Sequence, residues 1–137
     1  LTAFESPESA IPQSAQELRP ESFLREIERD EANGITRLHV ESDTGMVSLT
    51  DLGWEHGSVS RQFYEITDGE PNSHKEHLHW TMRFRRLDAA LDVRTETHST
   101  LQSTSTEFHF SASLEAFEGE DRVYFREWER KFPRDLN

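Results

Sequence analysis

The strongest constraint on the fold is an alternation of apolar and polar side chains over the last sixty residues. It runs through residues 74–87, 91–102, 106–118 and 122–132, with short polar breaks between them. Successive side chains of a strand point to opposite faces, so each run predicts a strand with one apolar and one polar face. Strands of about 11 to 14 residues exceed the usual five or six. They predict an all-β fold, a curved antiparallel meander sheet forming a sandwich or a partly closed barrel.

Upstream of the meander, residues 23–30 and 35–41 predict a hairpin. Asn33-Gly34 lies between them and supplies the positive φ angles of a tight turn. Shorter strands are predicted over residues 46–49 and 59–67, with a loop at 51–57.

Residues 1–21 have no regular period and predict an extended linker. Pro7, Pro12 and Pro20 interrupt a run rich in Ser, Glu and Gln, with room for one helical turn at 15–18. The chain is therefore divided into a linker, 1–21, and one antiparallel β domain, 22–137. Because the chain begins at Leu1 rather than Met, we expect it to be part of a longer protein.

The register of the long strands follows from where their turns lie. If Asp88-Ala89 closes the first hairpin and Ser103-Thr104 the second, then Trp80, Thr97 and Phe110 form one cross-strand row. This register predicts that Trp80 and Phe110 are buried on the same face.

The same register aligns His79, His98 and His109 across three strands of the polar face. Neighbouring Cβ atoms in such a row lie about 5 Å apart. Three imidazoles can therefore converge on one zinc ion, with Glu96 and Glu107 flanking the row. The alternative is a solvated polar ladder in which the histidines bind nothing.

No motif of a catalytic site is present. There is no Gly-x-Ser-x-Gly turn, no glycine-rich phosphate loop and no cysteine, and Ser58 near His56 is more simply an ordinary loop serine. The sequence therefore predicts no catalytic residue and no cofactor.

Charge narrows the classes of partner. The net charge is −12, with 15 basic and 27 acidic residues. Nucleic acids and anionic membrane surfaces require basic patches, so neither is an expected partner. The absence of cysteine is compatible with the cytoplasm.

Several segments carry a resemblance to a known family: Leu18–Pro20, Arg29–Gly34, Tyr64–Pro71, Phe108–Gly119, Arg126–Trp128 and Pro133–Leu136. Together they resemble the C-terminal region of long CocE/NonD-type hydrolases of the X-Pro dipeptidyl-peptidase group. In that family a serine-hydrolase domain and a jelly-roll domain precede this region, and the catalytic triad lies upstream. The resemblance implies a bacterial protein whose upstream hydrolase domain is a partner on the same polypeptide.

Three functions are consistent with these observations. The first is a non-catalytic module that stabilises or docks the hydrolase domain, or that mediates self-association as a homo-oligomer. The second is a module that binds a small ligand, and the third is a metal site at the histidine row. A large exposed apolar patch would favour the first, and a concave cavity the second.

Overall fold

A computed structural model describes residues 8–135 and confirms the prediction of an all-β antiparallel meander. The nine strands within these residues belong to one sheet: β1 (Ala15–Arg19), β2 (Ser22–Asp30), β3 (Ile35–Asp43), β4 (Met46–Leu49), β5 (Trp54–Thr67), β6 (Glu70–Arg86), β7 (Leu91–Ser103), β8 (Glu107–Glu118) and β9 (Asp121–Pro133). Two short 3-10 turns, Thr50–Leu52 and Leu87–Ala89, precede β5 and β7. Neither has the length or the hydropathy of a membrane-spanning helix.

The sheet is open, and within residues 8–135 it has no second sheet packed on it. The strand order is β1-β4-β5-β6-β7-β8-β9, and β3 joins the sheet by pairing with the second half of β5. β2 pairs in turn with β3, so the predicted first hairpin extends the main sheet. The outcome is a curved meander rather than a sandwich or a closed barrel.

The first strand corrects the predicted linker. Residues Ala15–Arg19 pair with β4, where the sequence suggested an extended linker or a helical turn. Pro20, which has no N–H to donate to the ladder, lies between β1 and β2. Residues 8–14 are exposed and belong to no strand, whereas the part of the linker at residues 1–7 lies outside the described residues.

One of the two predicted registers is confirmed and the other is wrong. Trp80 lies opposite Thr97, as predicted. Thr97, however, lies opposite Leu114 instead of Phe110, because the turn between β7 and β8 lies further along, at residues 104–106. Thr104 closes that turn by donating its N–H to the Glu107 carbonyl over 2.9 Å.

The error amounts to four residues, an even number, so each residue keeps its predicted face. The apolar face of the sheet carries mostly aromatic and aliphatic side chains: Phe23, Ile27, Leu38, Val40, Trp54, Tyr64, Leu78, Trp80, Met82, Phe84, Val93, Phe108, Phe110, Leu114, Tyr124, Trp128 and Phe132. The opposite, polar face carries most of the charged residues and the histidine row. Alternation determines the face of a residue regardless of which partner lies beside it.

The single layer leaves the described part of the chain without a hydrophobic core. No hydrophobic side chain in residues 8–135 is fully buried, and Trp80 is 43% exposed. Phe110 is half-buried. The predicted burial of Trp80 is therefore wrong. Globular domains bury an apolar face against a second layer, and the described chain provides none.

The most buried residues are polar or glycine, and they surround a bulge between β3 and β4. Three residues, 44–46, face only two, 57–58, in β5. Asp43, Ser48 and Glu55 are at least nine-tenths buried there, together with Gly45 and Gly57. We call these five residues the bulge cluster. Their burial comes from the close approach of three backbone segments rather than from an apolar core.

Candidate functional site

The centre of the apolar face is a cluster of aromatic side chains. Trp54 and Phe84 lie on neighbouring strands with their ring centroids 5.7 Å apart. Trp80 lies on the same strand as Phe84, four residues away and on the same face. Exposed aromatic patches of this kind mark interaction surfaces in soluble proteins.

Arginines border this apolar face at two of the three outer strands of the described sheet. Arg25 lies in β2, and Arg126 and Arg130 lie in β9. Among residues 8–135, none of the three forms an ion pair with a carboxylate. Arg126 lies over the Trp128 ring at 5.0 Å, and Arg130 donates to the Glu129 carbonyl over 2.7 Å. The apolar face therefore has an aromatic centre and positively charged edges.

The polar face, in contrast, satisfies its charges internally. Arg83 forms a two-pronged contact with Asp92 at 2.8 and 2.6 Å, and Arg61 donates to Glu41 over 2.6 Å. The hydrogen bond from Arg83 lowers the pKa of Asp92 below its usual range. Most carboxylates of the central strands on this face have a cationic partner, as expected of a surface that faces water.

Two of the three predicted metal ligands are brought together on the polar face. His79 in β6 lies directly opposite His98 in β7, and the rings stack with centroids 4.1 Å apart and planes 11° from parallel. Glu96 lies two residues from His98 on the same face. The ligand atoms of these three side chains all lie within 4.8 Å of one another. We call His79, Glu96 and His98 the His-Glu-His cluster.

The third predicted ligand, His109, lies elsewhere because of the shifted register. It is opposite Gln102, and its ring shares a hydrogen bond of 2.9 Å with Glu107. Ser113 occupies the position across from His98. Glu96, which the sequence placed beside the row, takes the third position. Whether the cluster binds metal stays a prediction.

Burial affects the protonation of His79. Removal of its ring from water lowers the pKa, and the nearby His98 and Arg61 lower it further, whereas Glu96 raises it. A lowered pKa keeps the imidazole neutral near pH 7. The neutral form is the one that can act as a metal ligand.

A groove on the polar face is lined by none of the three residues of the His-Glu-His cluster. Its volume is about 570 Å³, and it extends over β2, β3, β5 and β6. The His39 ring stacks on the Phe63 ring at 4.3 Å and 7°, and His39 Nε2 is buried without a hydrogen-bond partner among the described residues. Sequence reasoning missed this groove, although His39 and Phe63 follow the polar-face alternation.

The predicted loop at residues 51–57 is wrong from Trp54 onward, because strand β5 begins there and also includes Ser58. Ser58 shows no geometry of a catalytic triad. Ser58 lies on the apolar face, and its hydroxyl is 3.4 Å from the Thr44 hydroxyl. Within residues 8–135 no hydrogen bond joins Ser58 to His56. A nucleophile requires a base within hydrogen-bond reach, so this pair does not form a hydrolytic site.

Comparison of the chain with family models, with curated proteins and with solved structures found no match. The class of protein that the fold and its surfaces define is therefore an open, single-layer antiparallel β module with one apolar face.

Proposed function

We propose that this chain is a non-catalytic module that docks through its apolar face on another domain. In this proposal the partner is the serine-hydrolase domain of a CocE/NonD-type enzyme, the family whose C-terminal region the sequence resembles. The module stabilises that domain and contributes no catalytic group.

The observation that supports docking is the exposed apolar face. The accessible surface of the chain is 10269 Å². A folded monomer of 16.0 kDa has an accessible surface of about 7,400 Å² by the usual scaling with mass. The excess is larger than the roughly 800 Å² that each partner contributes to a standard interface. Part of it comes from the exposed residues 8–14, but the half-exposed aromatic side chains contribute as well.

Charge favours a different domain, rather than a second copy of this chain, as the partner that covers the apolar face. Packed sheets align their strands to within about 30°. Face-to-face packing of two copies would therefore bring the edges that carry Arg25, Arg126 and Arg130 close to one another. Each copy also carries a net charge of −12, and like charges disfavour association. The complementary partner has an apolar centre bordered by carboxylates.

The test uses two neighbouring cations of β9 that point to opposite faces. Arg130→Glu reverses a charge at the edge of the apolar face, and Lys131→Glu makes the same change on the polar face. The chain and the hydrolase domain are expressed separately, and their association is measured by calorimetry. We expect Arg130→Glu to weaken association at least about tenfold, while Lys131→Glu changes it little.

Sedimentation velocity of the chain alone shows whether a second copy of the chain covers the apolar face. We expect the chain to be a monomer at micromolar concentration. A stable dimer with Trp80 protected from fluorescence quenching would show that the occupant is a second copy. Equal effects of the two charge reversals would contradict docking through the apolar face.

A second candidate function, binding of a small ligand, is favoured by the groove at His39. Its volume lies within the range of small-molecule sites, and it combines an aromatic wall with a buried, unpaired ring nitrogen. A fragment screen monitored by NMR of the histidine rings tests it. Binding that shifts the His39 signals and is lost in Phe63→Ala would support this function, and a screen without such a fragment would count against it.

A further inference from the structure

We infer that His79, Glu96 and His98 form a binding site for a divalent transition-metal ion, such as zinc, at the centre of the polar face. The site lies on the face opposite the proposed docking surface. A test of this site is therefore independent of the proposed function.

The backbone register brings the three side chains together. His79 and His98 occupy directly paired positions in β6 and β7, and Glu96 follows the same face of β7. Tetrahedral zinc binds nitrogen and oxygen at about 2.0–2.2 Å, which places its ligand atoms about 3.3 Å apart. The three ligand atoms lie within 4.8 Å of one another. They therefore need to close by about 1.5 Å, which side-chain rotation can supply without movement of the strands.

The ligand types indicate which metals fit. Two imidazoles and one carboxylate suit zinc and other first-row transition metals, whereas magnesium and calcium prefer oxygen ligands alone. Three protein ligands leave a fourth position of tetrahedral zinc open to water or to another ligand. The cluster therefore matches an open metal site rather than a closed structural one.

The surroundings of the cluster are compatible with an added cation. The Arg94 guanidinium contacts only Oε1 of Glu96, so the second carboxylate oxygen remains available. Glu115 lies directly across from Glu96 in β8, and Arg122 donates to it over 2.5 Å. Arg61 lies across from His79 but is bound by Glu41 at 2.6 Å. Arg61 and Arg122 therefore have carboxylate partners outside the cluster, which reduces their repulsion of a metal, whereas Arg94 pairs with the ligand Glu96 itself.

The competing interpretation is a polar ladder in which the two rings only stack. A ladder needs no particular third residue, and it gives zinc no advantage over magnesium. A metal site depends on Glu96 and on both histidines. Substitution of these residues therefore distinguishes a metal site from a polar ladder.

The experiment is a calorimetric titration of the whole chain with zinc chloride at pH 7.5, with magnesium chloride as the comparison. We expect zinc to bind with one ion per chain. The affinity should fall at least about tenfold in His98→Ala and in Glu96→Gln, since even the loss of an outer-shell partner costs this much. Circular dichroism checks the fold of each variant, and the nearly isosteric Glu96→Gln carries the test if His98→Ala does not fold.

His109→Ala is the matched control. It removes a histidine of the same face that lies outside the cluster, so zinc affinity should stay unchanged. Three results would overturn the inference: no zinc binding, zinc binding equal to that of magnesium, or zinc binding that survives His98→Ala and Glu96→Gln. Loss of zinc binding in His109→Ala would also overturn this ligand set.

Discussion

The bulge cluster and the centre of the apolar face show opposite relations between polarity and burial. At the bulge, Asp43 is 9% exposed and Glu55 only 7%, although both are acidic. At the centre of the apolar face, Trp80 is 43% exposed. In a two-layered domain the order would be reversed, with the carboxylates in water and the aromatic side chains inside.

The comparison shows that two different causes determine burial in this molecule. At the bulge, the backbone of residues 19–21 lies close to Gly45, and the Gly45 carbonyl lies close to Gly57. Chain approach alone excludes water there, and the buried Asp43 is satisfied by Arg19 and by the Gly45 N–H at 2.8 Å. Within residues 8–135 the apolar face has no second layer to pack against, and Trp80 at its centre stays 43% exposed.

The largest loss of stability is expected where the backbone segments approach each other closely at the bulge. Gly45 has φ +73°, and a Cβ there would collide with the Arg19 carbonyl and the Pro20 backbone. Gly45→Ala should lower the free energy of unfolding by at least about 3 kcal/mol, from left-handed strain and displaced backbone together. Urea denaturation followed by circular dichroism measures it.

Gly69 provides a matched control for that substitution. It has the same φ of +73°, but a Cβ there would meet nothing within 4 Å. Gly69→Ala should cost only the strain of about 1–2 kcal/mol. Equal losses for the two variants would show that close approach does not determine stability at the bulge.

A smaller effect is expected at the centre of the apolar face. Trp80→Ala should lower the free energy of unfolding of the isolated chain by about 2 kcal/mol, about half the usual cost of truncating a buried aromatic side chain. The reason is that much of the Trp80 surface is exposed to water in the folded chain, so the substitution removes less buried apolar surface. A loss of about 4 kcal/mol or more would contradict this, because it would mean that a second layer covers Trp80 in the chain alone.

The smallest effect concerns the charge of Asp43. The hydrogen bond from Arg19 lowers the pKa of Asp43, assisted by the Gly45 N–H and opposed by burial. A lowered pKa in the folded state contributes stability above the ordinary pKa of about 4, and this stability is lost as pH falls through the lowered value. Asp43→Asn should cost about 1–2 kcal/mol at pH 7, because the partner Arg19 is half-exposed and screened.

Denaturation at pH 7 and at pH 3 checks the sign of this effect. The difference in stability between the natural chain and Asp43→Asn should shrink at the lower pH. The pKa of Asp88, paired with Arg86 at an exposed turn, is also lowered. Asp88→Asn should nevertheless give a smaller difference at pH 7. A difference in stability between the natural chain and Asp43→Asn that grows at pH 3 would contradict a lowered pKa of Asp43.

Turn residues account for the parts of the fold that the sequence predicted correctly. Asn33-Gly34 and Asp68-Gly69 lie at turns that the structure forms, and Gly34 and Gly69 have φ of +64° and +73°. The turn at Leu87–Ala89 set the register of β6 and β7 correctly. The positive φ angles at Gly34 and Gly69 are conformations that few other residues adopt, so these two turns can be predicted from the sequence. The turn at Leu87–Ala89 contains no glycine or proline and is marked only by Asp88.

The turn between β7 and β8 had no such marker. Residues 103–106 are Ser-Thr-Ser-Thr, without glycine or proline, and threonine fits strands as well as turns. The predicted turn was therefore misplaced and the register shifted by four residues, which replaced His109 by Ser113 beside His98. The His-Glu-His cluster depends on His79 and His98, which the turn at Leu87–Ala89 aligns.

By itself, the sequence determined the all-β meander, the extent of β7, β8 and β9 to within one residue, and the face on which each residue lies, because a period of two is a local property of the backbone. The tertiary structure alone decided that the sheet remains a single open layer, that Ala15–Arg19 joins it, and that three chain segments meet at the bulge cluster. Those features depend on contacts between residues that are distant in sequence. The alternation of side chains specifies the face on which a residue lies, but it specifies neither the partner strand nor the layer that covers that face.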